Sequence, residues 1–238
     1  MTGLGTLINM GAVVAGGLVG LLCGSRLQEK QQETILKASG VAVLFIALAG
    51  AMEGMLAIDG GRLTSGRSML VTMSLALGAV VGEILDLEAA FERFGAWLKI
   101  KSGNAKDSRF IDAFVTCTLT VCIGAMAIIG AINDGILGDI SILVTKSVLD
   151  FIIVLVMTCS MGKGCAFAAI PIGILQGSVT VLATLVKPLM TEAALANLAL
   201  VGAILIFCVG VNLVWGKTIR VANLLPTIIF AVAAAFVF

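Results

Sequence analysis

Residues 131–151 have the sequence Ala131-Ile-Asn-Asp-Gly-Ile-Leu-Gly-Asp-Ile-Ser-Ile-Leu-Val-Thr-Lys-Ser-Val-Leu-Asp-Phe151. Four charged residues lie within or just ahead of its long apolar run: Asp134, Asp139, Lys146 and Asp150. A Lys or Asp at the centre of a bilayer costs about 3 kcal/mol on insertion scales, so such residues persist where they pair, face water or take part in function. We therefore expect the functional site in this segment.

The composition predicts an integral membrane protein. The 238 residues are 60% hydrophobic and only 12% charged, and the mean hydropathy is +1.15. A soluble domain of this size does not bury so much apolar surface. The formal net charge of +1 gives no indication of nucleic-acid or acidic partners, and we expect no nucleic-acid partner.

The chain carries few of the groups that perform chemistry. It has no His, which disfavours an imidazole-based metal site, and we predict no cofactor. A hard-cation site built from oxygen ligands is left open. Because Ser/His/Asp sets and phosphate-binding loops are also missing from the sequence, we predict that the protein is not an enzyme.

Eight apolar windows predict an all-α transmembrane helix bundle of about eight spans, which forms one integral membrane domain over residues 1–238. Spans 1 to 8 cover residues 4–24, 38–58, 68–86, 110–132, 141–161, 164–186, 195–215 and 220–238. The segment 87–109 has apolar and charged residues at helical spacing, which predicts an amphipathic helix on the cytoplasmic surface.

The distribution of cations predicts the orientation. Most Lys and Arg residues lie in the loops after spans 1, 3, 5 and 7, whereas the loops after spans 2, 4 and 6 carry only Arg62, Arg67 and Lys187. The positive-inside rule then places the odd-numbered loops in the cytoplasm and both termini outside it.

Two segments resemble each other. Gly40–Gly50 in span 2 is similar to Gly202–Gly210 in span 7. Spans 1–3 and 6–8 are therefore candidates for inverted repeats that flank spans 4 and 5, a common transporter architecture with sites at the repeat interface. Chance similarity of Gly/Leu/Ala-rich helices is the alternative, and the sequence leaves both open.

Glycines at four-residue spacing predict close helix packing. Such rows include Gly16, Gly20 and Gly24 in span 1, and Gly78 and Gly82 in span 3. The glycine face of span 1 also makes a homodimer an expectation.

Lys146 and Asp150 are four residues apart in span 5, so they share one helix face. Asp139 joins that face if the helix begins early enough. One interpretation is a gated ion or proton pair. The alternative is a structural salt bridge that neutralises two charges in the bundle.

The loop between spans 4 and 5 contains Asn133, Asp134 and Asp139 but no cation. An acidic extracytoplasmic vestibule that gathers cations is one interpretation. A tight turn with an Asp helix cap is the other. We favour the cap for Asp139 and leave Asp134 open.

Several polar residues in other spans are further candidates for a substrate or ion pathway. They are Asp112 and Glu83 near span ends, Gln176 in span 6, Asn212 in span 7 and Asn223 in span 8. Pro171 and Pro226 are expected to kink spans 6 and 8 and free carbonyls for a midplane site, with local satisfaction as the alternative.

Several motifs together resemble one family along essentially the whole chain. They are Gly5-Thr-Leu-Ile-Asn9, Gly16-Gly17, Gly82-Glu83, Gly124-Ala-Met-Ala-Ile-Ile-Gly130, Asp134-Gly135, Gly138-Asp139, Lys146-Ser-Val-Leu-Asp150, Ile170-Pro171, Gln176-Gly177 and Val221-Ala-Asn-Leu-Leu-Pro226. This pattern resembles the DUF554 family of bacterial membrane proteins (YdfK/YqgA-like). Ala125 stands where the family pattern has Pro, and Phe151 where it commonly has Gly. The resemblance implies a polytopic protein of the bacterial inner (plasma) membrane and supplies no substrate.

We therefore expect a secondary transporter, ion- or proton-coupled, that moves a small solute or cation through the bilayer, with Lys146 and Asp150 as its central pair. A passive channel is one alternative. A non-transporting scaffold or regulatory protein with a structural ion pair is the other.

Overall fold

The fold is described from a computed structural model, which covers residues 2–236 apart from the side chains of Asp59 and Ala125. In this part of the chain, eleven α-helices and one short hairpin form the regular structure. The helices are α1 (Leu4–Gly24), α2 (Glu29–Met55), α3 (Ser68–Leu85), α4 (Leu87–Lys101), α5 (Phe110–Cys122), α6 (Ala125–Leu137), α7 (Ser141–Met161), α8 (Ala169–Val181), α9 (Ala183–Val186), α10 (Glu192–Trp215) and α11 (Pro226–Ala234). Turns of 3₁₀ helix cover Lys163–Ala168, Lys187–Leu189 and Val221–Leu224.

The predicted all-α polytopic bundle is confirmed. Six helices are long and apolar enough to cross a membrane, and a bent helix pair raises the number to as many as seven, compared with about eight predicted spans. The eighth predicted window, 220–238, contains the shorter apolar helix Val221–Ala234. Helix α4 occupies the predicted amphipathic segment, while its cytoplasmic location stays a prediction.

Span 4 is broken, whereas the sequence predicted one continuous helix over residues 110–132. Helices α5 and α6 meet at a bend of 63°. Between them, Gly124 has a φ of +147°, a backbone conformation that glycine adopts and other residues disfavour. Helix α6 then continues to Leu137, so Asp134 lies in a helix and not in the predicted loop.

A β-hairpin follows α2, where the sequence predicted the end of span 2. Strands β1 (Leu56–Asp59) and β2 (Arg62–Ser65) pair in antiparallel register. Gly60 and Gly61 join them, both with positive φ, as a type I′ turn requires. A Gly-Gly pair between short apolar segments is typical of a hairpin turn. The sequence prediction missed it because it relied on hydropathy.

The chain divides into two compact units that alternate along the sequence. Unit 1 comprises Met1–Ser39 and Ala89–Lys187, and unit 2 comprises Gly40–Glu88 and Pro188–Phe238. All four helices that build the candidate site described below, α1, α5, α7 and α8, belong to unit 1.

Within unit 1, α1 packs in parallel along α7 through the predicted glycine row. A Cβ added at any of these glycines would lie 2.5–2.8 Å from a carbonyl oxygen of α7. The contacting pairs are Gly16 with Phe151, Gly20 with Leu155 and Gly24 with Cys159. The glycine face is therefore occupied within the chain, and it no longer gives a reason to expect a homodimer.

The spans assigned to the two candidate repeats pack against each other in antiparallel fashion within each unit. In unit 1, α1 contacts the 3₁₀ turn Lys163–Ala168 and α8, which together form the candidate membrane span at predicted span 6. In unit 2, α2 contacts α10 and α3 contacts α11. The pairs are Met10 with Gly173, Gly17 with Ala166, Gly40 with Val214, Gly54 with Leu200, Gly78 with Thr227 and Gly82 with Asn223. Inverted repeats related by a two-fold axis would produce such pairs, although the repeat itself stays a prediction.

Pro171 and Pro226 lie at the starts of α8 and α11, whereas the sequence predicted that they kink spans 6 and 8. Pro171 lies in the first turn of α8, and Pro226 is the first residue of α11. The N–H groups of a first helical turn have no intrahelical acceptor, so proline is tolerated there. The broken helix of this fold is span 4, at Gly124.

Candidate functional site

A buried ion pair lies near the middle of α7. The Lys146 Nζ is 2.8 and 2.7 Å from the two carboxylate oxygens of Asp150. The side chains are 9% and 4% exposed, respectively. Their four-residue spacing places both on one face of the helix, as predicted. Each charge offsets the desolvation of the other, so removing either one leaves an uncompensated charge in the interior.

The break in span 4 supplies the third partner of the ammonium. Lys146 also donates to the backbone carbonyl of Val121, at 2.8 Å. Val121 lies in the last turn of α5, where helix carbonyls have no intrahelical donor and carry the negative end of the helix dipole. The bend at Gly124 therefore allows the end of a helix to stabilise a buried cation.

Two buried amides continue the cluster into α1 and α8. The Asn9 Nδ2 donates to Asp150 Oδ2 at 3.0 Å and to Gln176 Oε1 at 3.3 Å. These two bonds determine how both amides are assigned, because the opposite orientation of Asn9 would set its oxygen against the carboxylate. We call Asn9, Lys146, Asp150, Gln176 and the Val121 carbonyl the Lys146 cluster.

The Lys146 cluster retains unused hydrogen-bonding capacity. Asn9 Oδ1 and Gln176 Nε2 are buried and have no hydrogen-bond partner in the structure. Leaving a buried polar group unpaired costs about 1–3 kcal/mol. Such groups persist at sites that bind water, ions or substrate.

Asp134 anchors the start of α1, and neither the vestibule nor the turn interpretation fits it. Its carboxylate is fully buried and accepts hydrogen bonds from the backbone N–H groups of Gly3 and Gly5, at 3.1 and 3.0 Å. The N–H groups of a first helical turn lack intrahelical acceptors, and a negative charge there also interacts favourably with the helix dipole. Asp134 thus ties α6, the second half of the broken span, to α1.

Asp139 does not form the side-chain N-cap that we favoured, because the N-cap position of α7 is Ile140 and no side chain caps it. Asp139 is exposed, and its Oδ1 accepts from the hydroxyl and the backbone N–H of Ser141, at 2.6 and 2.9 Å. These two hydrogen bonds hold the pKa of Asp139 below its ordinary value. Because α7 begins at Ser141, Asp139 does not join the face of Lys146.

The substitution Asp134→Asn is expected to lower the free energy of unfolding by about 1–3 kcal/mol, because it removes a charge-assisted acceptor from one buried and one half-buried N–H group. Hydrogen exchange of the amides of residues 3–7 is expected to accelerate. The matched control is Asp139→Asn, which makes the same change at an exposed carboxylate that also accepts from a backbone N–H, and surface substitutions of this kind shift stability by about 0.5 kcal/mol or less. Equal exchange in both variants would show that Asp134 does not anchor α1.

Other predicted residues of unit 1 lie outside the Lys146 cluster. Asp112 is exposed in the first turn of α5, and Asn133 is half-buried near the end of α6. On the face behind Asp112, the Thr120 hydroxyl donates to the carbonyl of Thr116 one turn back, at 2.8 Å. This local bond satisfies the hydroxyl without a water path.

The predicted polar residues of unit 2 serve local structure. Glu83 pairs with Arg220 at 3.2 Å, with both side chains exposed. The Asn212 side chain accepts from the N–H groups of Thr218 and Ile219 and so closes the loop after α10.

Glu88 is a buried acid that the sequence analysis missed. Its Oε2 accepts from the Ala222 N–H at 3.1 Å, and its Oε1 lies 3.1 Å from the Lys217 Nζ. Its own N–H donates to the Asn223 Oδ1 at 2.7 Å. In the sequence, Glu88 is one of the charged residues of the predicted amphipathic segment 87–109. Its position in the first turn of that predicted helix was the sequence signal that could have indicated a structural role, because an acid there interacts favourably with the helix dipole.

Asn9 was also missed as a site residue. It is the only amide in the apolar sequence of span 1, and a lone amide in such a run calls for a buried partner. The Val121 carbonyl had no sequence signal, because its role depends on the break at Gly124.

Within residues 2–236, no group of three or more His, Cys, Asp or Glu side chains is placed to hold a metal ion. All six cysteines are free thiols.

Comparisons with known proteins match the chain over nearly its full length. The family model "Protein of unknown function (DUF554)" matches residues 4–236. The chain is 30% identical over 233 residues to "Uncharacterized protein YqgA" of Escherichia coli (strain K12), covering 96% of this chain and 94% of that protein. It is 27% identical over 233 residues to "Uncharacterized membrane protein YdfK" of Bacillus subtilis (strain 168), covering 98% and 96%. No solved structure gives a significant match.

Proposed function

This chain belongs to the DUF554 family, and from that premise we propose that it is a secondary transporter, ion- or proton-coupled, of a small solute or cation. Its apolar helices and its relative described as a membrane protein place it in a membrane. The proposal locates it in the bacterial inner membrane, with the Lys146 cluster as the transport site and both termini outside the cytoplasm. It assigns no chemical reaction to the protein.

The proposal rests on the contact between the broken helix and the buried ion pair. Transporters commonly build midplane sites from discontinuous helices, whose ends bring partial charges to the substrate or coupling ion. Non-helical backbone at membrane depth is tolerated where it is buried in protein or lines a cavity. Here the end of α5 contacts Lys146 directly, and the pair alone would not need that carbonyl.

The unpaired amide atoms favour a site over a purely structural bridge. A bridge that only locks α7 into the bundle is most stable when every surrounding polar atom is satisfied. In the Lys146 cluster, one acceptor on Asn9 and one donor on Gln176 are left without partners. Both atoms are available to a ligand or to water that accompanies it.

The test is transport by the purified chain in vesicles of phosphatidylethanolamine and phosphatidylglycerol. Gradients of Na⁺, K⁺ and H⁺ are imposed in turn, and an internal pH dye and isotope uptake are followed. Lys146→Arg keeps the charge but cannot reproduce the geometry of a compact ammonium. We expect this variant to fold and to lose most of the flux.

The matched control is Lys37→Arg, which alters an exposed pair of the same four-residue spacing with Glu33. We expect normal flux from it. Stimulation of flux by the same ion on the opposite side would distinguish a carrier from a channel. If wild type moves none of the three ions, or if Lys146→Arg moves them normally, the Lys146 cluster is not the site of transport for these ions.

A further inference from the structure

The hydrogen bonds of the Lys146 ammonium all end on oxygen. Its partners are the two carboxylate oxygens of Asp150 and the carbonyl oxygen of Val121, at 2.7–2.8 Å. Carboxylate and backbone carbonyl oxygens are also the ligands that hard cations take from proteins. The ammonium thus lies where a metal cation of the same charge would find suitable ligands.

A fourth oxygen beside the carboxylate has no partner. Asn9 is fully buried, and its Oδ1 is without a hydrogen-bond donor. The hydrogen bond from Asn9 Nδ2 to Asp150 holds the amide group next to the carboxylate. Oδ1 is the other polar atom of that same amide group. A buried amide oxygen requires either a donor or a cation, and this one belongs to the residue whose Nδ2 donates to the carboxylate.

The charges around these oxygens favour a monovalent ion. The Lys146 cluster contains one carboxylate, supplemented by the partial negative charge at the end of α5. One positive charge is therefore balanced there, whereas a second would be left uncompensated at low dielectric. The ammonium and a bound cation consequently exclude each other.

We infer that the Asp150 carboxylate, the Asn9 amide oxygen and the Val121 carbonyl form a binding site for a monovalent alkali cation, with Lys146 as a built-in competitor. The inference rests on the proposed function and names the class of ion that the site takes. The long flexible stem of lysine allows the ammonium to withdraw when the cation enters. Because of this competition, the position of the Lys146 side chain would determine whether the cation is bound.

The test measures cation binding without transport. The purified full-length chain is titrated with NaCl, KCl or LiCl against choline chloride at constant ionic strength, and its melting temperature is followed. Lys146→Gln removes the competitor and keeps a polar side chain. Because removing a competing state raises the apparent affinity, we expect one of the alkali cations to bind this variant at least about tenfold more tightly than wild type.

Two further variants test the ligands. In Lys146→Gln/Asp150→Asn the alkali response is expected to disappear, and in Lys146→Gln/Asn9→Ala it is expected to weaken. An equal response to choline and alkali cations in Lys146→Gln would overturn the inference, as would a response that survives loss of the Asp150 carboxylate. If Lys146→Gln does not fold, wild type is compared with Asn9→Ala, and an absent or equal alkali response in these two proteins counts against the site.

The outcomes separate this inference from the proposed function. Flux that depends on Lys146 without alkali binding would leave the transport proposal standing and remove the cation site. Alkali binding without any flux would leave the cation site and remove the transport proposal.

Discussion

Lys146→Met is expected to lower the free energy of unfolding by about 3–5 kcal/mol when choline is the only added cation, because it leaves the buried Asp150 carboxylate without its partner. The side chain of Asp150 is only 4% exposed, so solvent contributes little hydration to the carboxylate in place of the ammonium. The hydrogen bond from Asn9 to Asp150 would remain, but the Val121 carbonyl would lose its donor. Unfolding of the purified protein in mixed micelles of increasing denaturing detergent measures the difference.

The control is Lys37→Met, which breaks a bridge of identical spacing and the same 2.7 Å separation from Glu33. Those side chains are 56% and 62% exposed, and exposed helix pairs contribute about 0.3–0.5 kcal/mol. A shift for Lys146→Met no larger than that for Lys37→Met would show that the charges are hydrated and not buried.

The double variant Lys146→Met/Asp150→Leu separates stability from function. Replacing a buried ion pair with apolar side chains is often neutral or stabilising, so the double variant is expected to recover most of the loss. Under our proposal it folds and does not transport. Normal flux from it would mean that the pair is structural, as the alternative interpretation of the sequence holds.

A helix could be predicted from the sequence where its apolar run is long and has clear ends. Helices α1 and α7 coincide with predicted spans 1 and 5, because polar residues or glycine interrupt each apolar run at both ends. The break in span 4 was missed because Gly124 and its neighbours are as apolar as the rest of the run. A bend depends on backbone angles, and hydropathy is insensitive to them.

The candidate site was predictable only where its geometry is local. Lys146 and Asp150 are related by helical periodicity, so their contact follows from the spacing. The partners of Asn9 are separated from it by more than a hundred residues, and no local pattern encodes such contacts. Asp134 shows the same limit, since its role depends on N–H groups of α1 that lie far away in the sequence.

Gly82→Ala is expected to destabilise unit 2 by about 3 kcal/mol, because the added methyl group meets backbone that cannot move away. A Cβ at Gly82 would overlap the carbonyl oxygen of Asn223. The 3₁₀ turn Val221–Leu224 that carries this carbonyl is tied to Glu88 by hydrogen bonds of 2.7 and 3.1 Å. Relief of the overlap would therefore break buried hydrogen bonds or separate α3 from the turn.

Gly11→Ala is the matched control, since it makes the same change inside a helix where a Cβ would meet nothing within 4 Å. Without a steric penalty, alanine is favoured over glycine in a helix by about 1 kcal/mol, so this variant is expected to be neutral or slightly stabilised. Unfolding in mixed micelles compares the two. If Gly82→Ala proves as stable as Gly11→Ala, then α3 and the 3₁₀ turn are not in the close contact that the structure shows, and the antiparallel pairing of spans 3 and 8 loses its main support.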